Sequence, residues 1–366
     1  MVRFAVSNHV PSFVALALAV VVTALGCGSS SSGQPDGGSG PPPSSGLPDA
    51  PGQGNVPKPS GTPGNLKVLD WAGFKSALTY TFDDAQPSQI EHYAELQATG
   101  VRMTFYITTS SSSSSANFDA TFSQAVLDGH EMGNHTVHHC YANLTMCSNT
   151  ASAPVSLDAE LDDCTSYITS HFGQSQVWTA ASPFGDTAYD AADTSRFFLN
   201  RGVGAGTIGA NDGTDAFNLP CHTAAQGETV DQFNAAIDGA EGAGRWLIFL
   251  VHTIQPTSQV WYNPIDISVV TGSIAHAQSL GDVWIDSTVN VGAYWRAEKV
   301  VSAVTPATSG NSQTWTWTLP DHFPSGKYLR VTVDGGTLSQ NGATLAWNSH
   351  GYYEVALDAG SMTLSP

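Results

Sequence analysis

The chain has 366 residues, 41% of them hydrophobic, enough to bury a sizeable core in one large domain or two, so wholesale disorder is excluded. Its 31 Asp and Glu against 12 Lys and Arg leave a formal charge of −19, which repels phosphate backbones and argues against nucleic acid as a partner. Charged residues make up 12% of the chain, with Gly, Ser, Thr, Asn and aromatics plentiful, a composition common in secreted proteins that handle neutral sugars.

Residues 1–27 read as an export signal: Arg3 gives a positive start, and residues 13–25 form an apolar run too short to span a bilayer comfortably. The segment ends in Ala24-Leu25-Gly26-Cys27, which resembles the lipobox of bacterial lipoproteins. That resemblance implies lipidation of Cys27, a lipid anchor in a membrane and, with Gly28 next, outer-membrane placement in a two-membrane bacterium. The alternative is an ordinary cleavage site that contains a cysteine and yields a secreted protein. Residues 28–64 are mostly Gly, Ser, Pro and small polar types without hydrophobic periodicity, and are expected to be a disordered linker. A flexible coil of that length reaches roughly 30–35 Å.

From Leu66 the pattern changes to short apolar runs separated by amphipathic stretches. Strands are predicted at 77–82, 102–107, 176–180, 246–251 and 283–285, and helices at 88–99, 118–128, 157–171 and 267–280. Gly100 and Gly129 suit C-terminal caps, and the serine run 110–115 reads as a surface loop. Repeated strand–helix units over 66–297 predict an α/β fold with a parallel barrel or sheet, whose chemistry would sit on loops that follow strands. Beyond 298 the strand-like stretches 314–318, 328–333 and 352–357 predict a small all-β accessory domain over 298–366. Trp315 or Trp317 could bind sugar there, or pack in the core.

Cys140, Cys147, Cys164 and Cys221 are an even set in an exported chain, so disulfides are expected. Three pairings are possible, and the segment 140–147 could close a small loop beside His139. A thiolate metal site is disfavoured because no C-x-x-C spacing is present.

Three clusters carry candidate chemistry. In Thr81-Phe82-Asp83-Asp84-Ala85, two carboxylates follow an apolar strand. Both can face one site only if the strand ends there and the backbone turns. One carboxylate bound to a cation and one free to accept a proton is a stable division of labour. In Gly133-Asn134-His135-Thr136-Val137-His138-His139, His135 and His139 are four apart and can converge on one ion from a helical turn or a tight loop. The spacing from His130-Glu131 to His135 is one residue too long for a zincin helix. In Leu250-Val251-His252, an imidazole ends an apolar strand, where it can transfer protons near neutral pH.

In order and spacing these pieces resemble the polysaccharide deacetylase family, the NodB-homology carbohydrate esterases, over about residues 66–297. The resemblance implies a distorted (β/α) barrel with Asp83 as catalytic base, Asp84, His135 and His139 as ligands of a divalent metal, zinc foremost, and His252 as general acid. It further implies Leu250 lining an acetyl pocket and Ser182-Pro183-Phe184-Gly185 as the third motif, with the Phe184 amide facing an oxyanion. Trp284 could wall the site or belong to the core. Where the family usually has an arginine that orients the base, this sequence has Ala181, and Asp212 and Asp215 are the candidates for the acid's carboxylate partner. The implied activity is removal of acetyl groups from a polysaccharide or oligosaccharide, N-acetyl groups of amino sugars first. The alternatives are an O-acetyl (acetylxylan-type) esterase or a non-catalytic, metal-stabilised sugar-binding lipoprotein. A monomer is expected.

Overall fold

The computed structural model describes residues 45–110, 115–148 and 152–366; the expected export signal with Cys27, and residues 28–44 of the expected linker, lie outside the described residues. Seven parallel strands close into a barrel: β1 (Ser76–Phe82), β2 (Thr104–Ile107), β3 (Glu131–Asn134), β4 (Thr179–Ala181), β5 (Leu199–Ala205), β6 (Leu219–Thr223) and β7 (Arg245–Val251). Closure is made by β1 and β7, paired from Ala77↔Trp246 to Phe82↔Val251. A further strand, β8 (Val283–Ile285), runs parallel to the start of β1 outside the ring. This is the (β/α) barrel expected from the sequence.

Period-two alternation sorts the side chains. Leu78, Tyr80, Phe82, Leu247, Phe249 and Val251 pack outward in one buried cluster with Val270 and Ile274 of the helix Ile267–Leu280. Ala77, Trp246, Ile248, Leu250, Leu199 and Leu219 belong to a second cluster that fills the barrel. The same parity continues past the strand ends, so Asp83, His135 and His252 arrive at the carboxyl end of the barrel facing inward.

The opposite end is closed by the helix Thr288–Ser302. Its first turn enters the barrel base, where the Thr288 N–H donates to Thr104 Oγ1 and the Val289 N–H to Glu131 Oε2, both at 2.8 Å. Gly292 permits the close approach, because a Cβ there would stand 2.0 Å from Leu199 Cδ1. Trp295 reaches Gly209 O with its indole N–H at 3.0 Å.

The C-terminal part forms two antiparallel sheets, and the predicted strands at 314–318, 328–333 and 352–357 correspond to Ser312–Thr316, Tyr328–Thr332 and Tyr352–Ala356. The boundary differs from the expected one at 298. Lys67–Val68, which precede the barrel, pair with Tyr328–Thr332, and the core of the sheets is continuous with the barrel-closing helix. Trp315 and Trp317 are buried rather than offered to sugar, and the Trp317 indole N–H donates to Leu357 O.

Residues 45–64, expected within the linker, contain no long helix or strand yet are anchored. The Val56 N–H donates to Ser349 O at 2.8 Å, Trp347 Nε1 donates to Val56 O at 3.0 Å, and buried Arg330 donates to Pro48 O at 2.7 Å. Backbone groups supply these bonds, which is why composition gave no sign of them. The predicted helix 88–99 is two short helices, Pro87–Glu91 and Tyr93–Gln97, broken at His92. Among the described residues no helix is long and apolar enough to cross a membrane.

Candidate active site

The carboxyl ends of the strands surround an open pocket of about 630 Å³, lined by Asp83, Asp84, His135, His139, Phe184, Leu250 and His252 among others. Asp84 (φ 71°) and Ala85 (φ 50°) end β1 in left-handed backbone, and this turn brings both carboxylates to one site. Thr136 (φ 67°), His139 (φ 53°) and Phe184 (φ 60°) also hold left-handed conformations around the pocket. For residues other than glycine each such conformation costs about 1–3 kcal/mol, and such outliers gather at functional sites.

His135 and His139 converge from a tight loop rather than a helix, with ring centroids 4.7 Å apart. The loop is pinned where the His139 N–H donates to Thr136 Oγ1 at 3.0 Å. His138, between them, turns away and is held by Glu160 at 2.5 Å. His135 Nδ1 lies 2.6 Å from Ala181 O. A carbonyl only accepts, so Nδ1 carries a proton, and when the ring is neutral Nε2 presents its lone pair to the pocket. His135 Nε2 stands 3.5 Å, and His139 Nε2 3.6 Å, from Asp84 Oδ1.

Two imidazoles and one carboxylate, all with donor atoms within 4.8 Å of one another, form a candidate metal site. Ligands at about 2.0–2.1 Å from a tetrahedral zinc-type ion stand about 3.4 Å apart, close to the separations seen here, so these residues fit such an ion. Burial alone would raise the Asp84 carboxyl, but the His135 hydrogen bond and the charges of His135, His139 and His252 outweigh it and hold Asp84 well below the usual carboxylate range. Burial, with His135 adding to it, pushes the His139 imidazole down to about 4, in favour of the neutral ring that a ligand must be.

Asp83 is almost completely buried and stays out of that donor set. Its Oδ2 accepts from Nη2 of Arg201, its backbone oxygen accepts from Gln89 Nε2 at 2.6 Å, and its Oδ1 has no protein partner. Arg201 is itself fully buried, lies over the Tyr106 ring at 5.2 Å and donates from Nη1 to Gly202 O at 3.0 Å. Burial disfavours its charge, but Asp83, with Cys221 and Tyr106 adding to it, more than restores it, so the guanidinium is held above its ordinary value. Sequence reasoning left the position of the usual arginine empty at Ala181. The structure supplies a guanidinium from the adjacent strand, in a run, Leu199-Asn200-Arg201-Gly202-Val203, whose glycine and polar residues hide its strand character. The available signal was an arginine in alternation with Leu199 and Val203, in a chain with few basic residues.

His252 lies in the pocket with Nδ1 buried and without a protein partner, and the Tyr262 ring meets it edge-on at 4.9 Å. Burial lowers its pKa against the pull of Asp83 and Asp84. Neither suggested carboxylate partner reaches it. Asp212 pairs with Arg245 at 2.8 Å, and Asp215 accepts from the Phe217 N–H at 2.9 Å.

In the third motif Pro183 is buried, while Phe184 is 40% exposed and stacks on Tyr141 at 4.4 Å. Gly185 (φ 67°) allows the turn to pass Val203, whose Cγ2 would lie 2.4 Å from a Cβ there. Leu250 lines the pocket. Trp284 does not: it sits on β8 beside Ala77 at the start of β1, fully buried, with its indole N–H on Asp286 at 3.2 Å. A strand that pairs only with the beginning of β1 cannot bring a side chain to its end. Tyr141, Ser148, Val203, Thr223 and Tyr262 also line the pocket and were not singled out from the sequence.

Among the described residues one disulfide forms, Cys140–Cys147, closing the short loop beside His139. Cys164 and Cys221 are free and buried, contrary to the expectation of fully paired cysteines. Their thiols donate to Ile107 O and Gly202 O from different walls of the barrel.

Residues 73–197 match the family model described as Polysaccharide deacetylase. Among solved structures, similarity is found to the Xyl-CE4 domain of a multidomain xylanase from the hindgut metagenome of Trinervitermes trinervoides, at 18% identity, covering 59% of this chain and 88% of that one, with a TM-score of 0.38. A family 4 acetyl xylan esterase from Clostridium thermocellum, in complex with a cobalt ion, is 17% identical over 59% and 89% of the two chains, with a TM-score of 0.37. The catalytic domain of a peptidoglycan N-acetylglucosamine deacetylase from Eubacterium rectale is 15% identical over 60% and 91%, with a TM-score of 0.40. A search of curated proteins found no match.

Proposed function

We propose that the chain, whose residues 73–197 match the polysaccharide deacetylase family model, is a metal-dependent hydrolase of that family that removes acetyl groups from a polysaccharide, N-acetyl groups of amino sugars in the first instance. The observation that carries this reading is the pairing of two kinds of aspartate. Asp84 joins His135 and His139, while Asp83, 3.7 Å from His135 Nε2, is held by Arg201 and keeps Oδ1 free.

A divalent cation, zinc foremost, held by Asp84, His135 and His139 would act as a Lewis acid that lowers the pKa of water and polarises an acetyl carbonyl. Asp83 Oδ1 accepts the proton as water attacks the carbonyl carbon. Arg201 fixes the direction of that carboxylate. Leu250 offers an apolar wall to the acetyl methyl, and the Phe184 amide serves as oxyanion donor. As the bond from carbon to the sugar nitrogen or oxygen breaks, His252 delivers a proton to the leaving group, and acetate departs. The depressed pKa of His252 makes its protonated form a readier donor.

The test is acetate release by the full chain from N-acetylglucosamine oligomers and from acetylated xylan, with and without a chelator. Release from the first substrate that stops with chelator and returns with zinc supports the reading, and release from xylan alone would make the protein an O-acetyl esterase. Binding of either polymer without acetate would overturn the assignment. Residues 1–27, read as an export signal that ends in Cys27, support a further proposal, placement in the cell envelope as a monomeric lipoprotein; palmitate labelling that disappears in Cys27→Ser checks the anchor.

A further inference from the structure

We propose that Ser148 is a positioning residue for the cation site and that the Cys140–Cys147 disulfide holds it in place. The inference rests on the reading of Asp84, His135 and His139 as that site. The two histidines are steadied differently. His135 Nδ1 is tied to the backbone of barrel strand β4 through Ala181 O. His139 lies beyond its strand in a left-handed turn, and its Nδ1 meets the Ser148 hydroxyl at 2.9 Å instead. A ligating imidazole must be neutral, with Nε2 toward the ion and Nδ1–H outward. An acceptor at Nδ1 fixes that tautomer and the ring orientation.

Ser148 is nine residues from His139, and the loop between them makes its own turn, with the Tyr141 N–H on Thr145 O at 3.0 Å. One end of this loop is fastened to the scaffold: Tyr189 OH donates to Cys140 O at 2.7 Å, and the Ala142 N–H donates to Asp186 Oδ2 at 3.0 Å. The other end is fastened by the disulfide. Cys140 directly follows His139, and Cys147 directly precedes Ser148, so the cross-link joins the chain neighbours of the two interacting residues. It also brings the Ser148 N–H to His139 O at 3.1 Å. The serine is thereby presented to the imidazole by a covalent clip rather than by the barrel.

The experiment measures zinc affinity of the full chain by competition with a chromogenic chelator, together with the visible spectrum of the cobalt form and the unfolding midpoint of each metal-free protein. Ser148→Ala is expected to bind zinc 10- to 100-fold more weakly, with a shifted cobalt spectrum, and Ser148→Thr to recover most of the affinity. The Cys140→Ser/Cys147→Ser pair is expected to lose a similar factor, and adding Ser148→Ala to that pair to cost little more. A folded Ser148→Ala with wild-type affinity and spectrum overturns the inference while leaving the cation site standing. A wild type that binds no zinc overturns the site reading, and this inference with it.

Discussion

Arg201 lies beside Ala181 in the parallel register between β5 and β4, and its guanidinium reaches Asp83 across the barrel interior. The charge that steadies the proposed base therefore comes from the neighbouring strand at the same height. Removing it strands a buried carboxylate, and breaking a buried pair in this way costs about 3–5 kcal/mol. Arg201→Ala is expected to lower both the unfolding midpoint and kcat. Because adjacent strands are about 4.8 Å apart, Arg201→Ala/Ala181→Arg should regain part of both. A double variant no better than the single one would show that the two positions are not interchangeable.

The two aspartates should separate cleanly. Asp83→Asn is expected to keep zinc and to lose about 10²–10⁴-fold in kcat, the usual worth of a general base. Asp84→Ala should lose zinc and activity together. Metal content by mass spectrometry beside acetate release checks both, and loss of zinc in Asp83→Asn would count against the division of roles.

Burial pushes the Asp193 carboxyl up to about 7, although its bond from Ser182 Oγ at 3.2 Å works in the opposite direction. An acid whose pKa is higher in the folded than in the unfolded state holds its proton more tightly when folded. Its contribution to stability is complete below pH ~4, the ordinary carboxylate range, and is lost as pH rises through about 7. Each pH unit inside that window removes at most about 1.4 kcal/mol. Unfolding midpoints from pH 4.5 to 8 should fall more steeply for the wild type than for Asp193→Asn; parallel curves would refute the assignment.

Tyr262 is 60% exposed beside His252, so its ring packs little of the core and is free to face substrate. Aromatic contacts of this kind are worth about 0.5–1.5 kcal/mol. Tyr262→Ala is expected to raise KM for oligosaccharides about 2- to 10-fold with the unfolding midpoint unchanged, as read from initial rates and calorimetry. An unchanged KM would remove Tyr262 from the substrate wall.

Strands with a continuous apolar face, such as β7 and the Leu78-Tyr80-Phe82 face of β1, were legible in the sequence, and so were the helices 157–171 and 267–280. Glu131-Met132-Gly133-Asn134 of β3 was not, because its inward positions carry a glutamate and a glycine set by neighbours across the barrel. Four of the five motif residues announce themselves by local spacing, Asp83 with Asp84 and His135 with His139, and His252 does so by ending an apolar strand. Arg201 does not, since its partner is 118 residues away and only barrel closure brings the two together. Trp284 illustrates the converse: an aromatic near the end of the domain suggested a site wall, yet strand pairing sends it to the opposite end.

The helix Thr288–Ser302 is at once the floor of the barrel and the backing of the C-terminal sheets, where Tyr294 OH receives the Arg330 N–H at 3.2 Å and Asn290 receives Lys327 at 2.7 Å. The last sixty residues are consequently no detachable appendage. A chain shortened at residue 303 would lay bare the apolar underside of that helix, and the truncated product would tend to aggregate before its pocket could be assayed. Shuffling of this tail between related enzymes would have to carry the floor helix along with it.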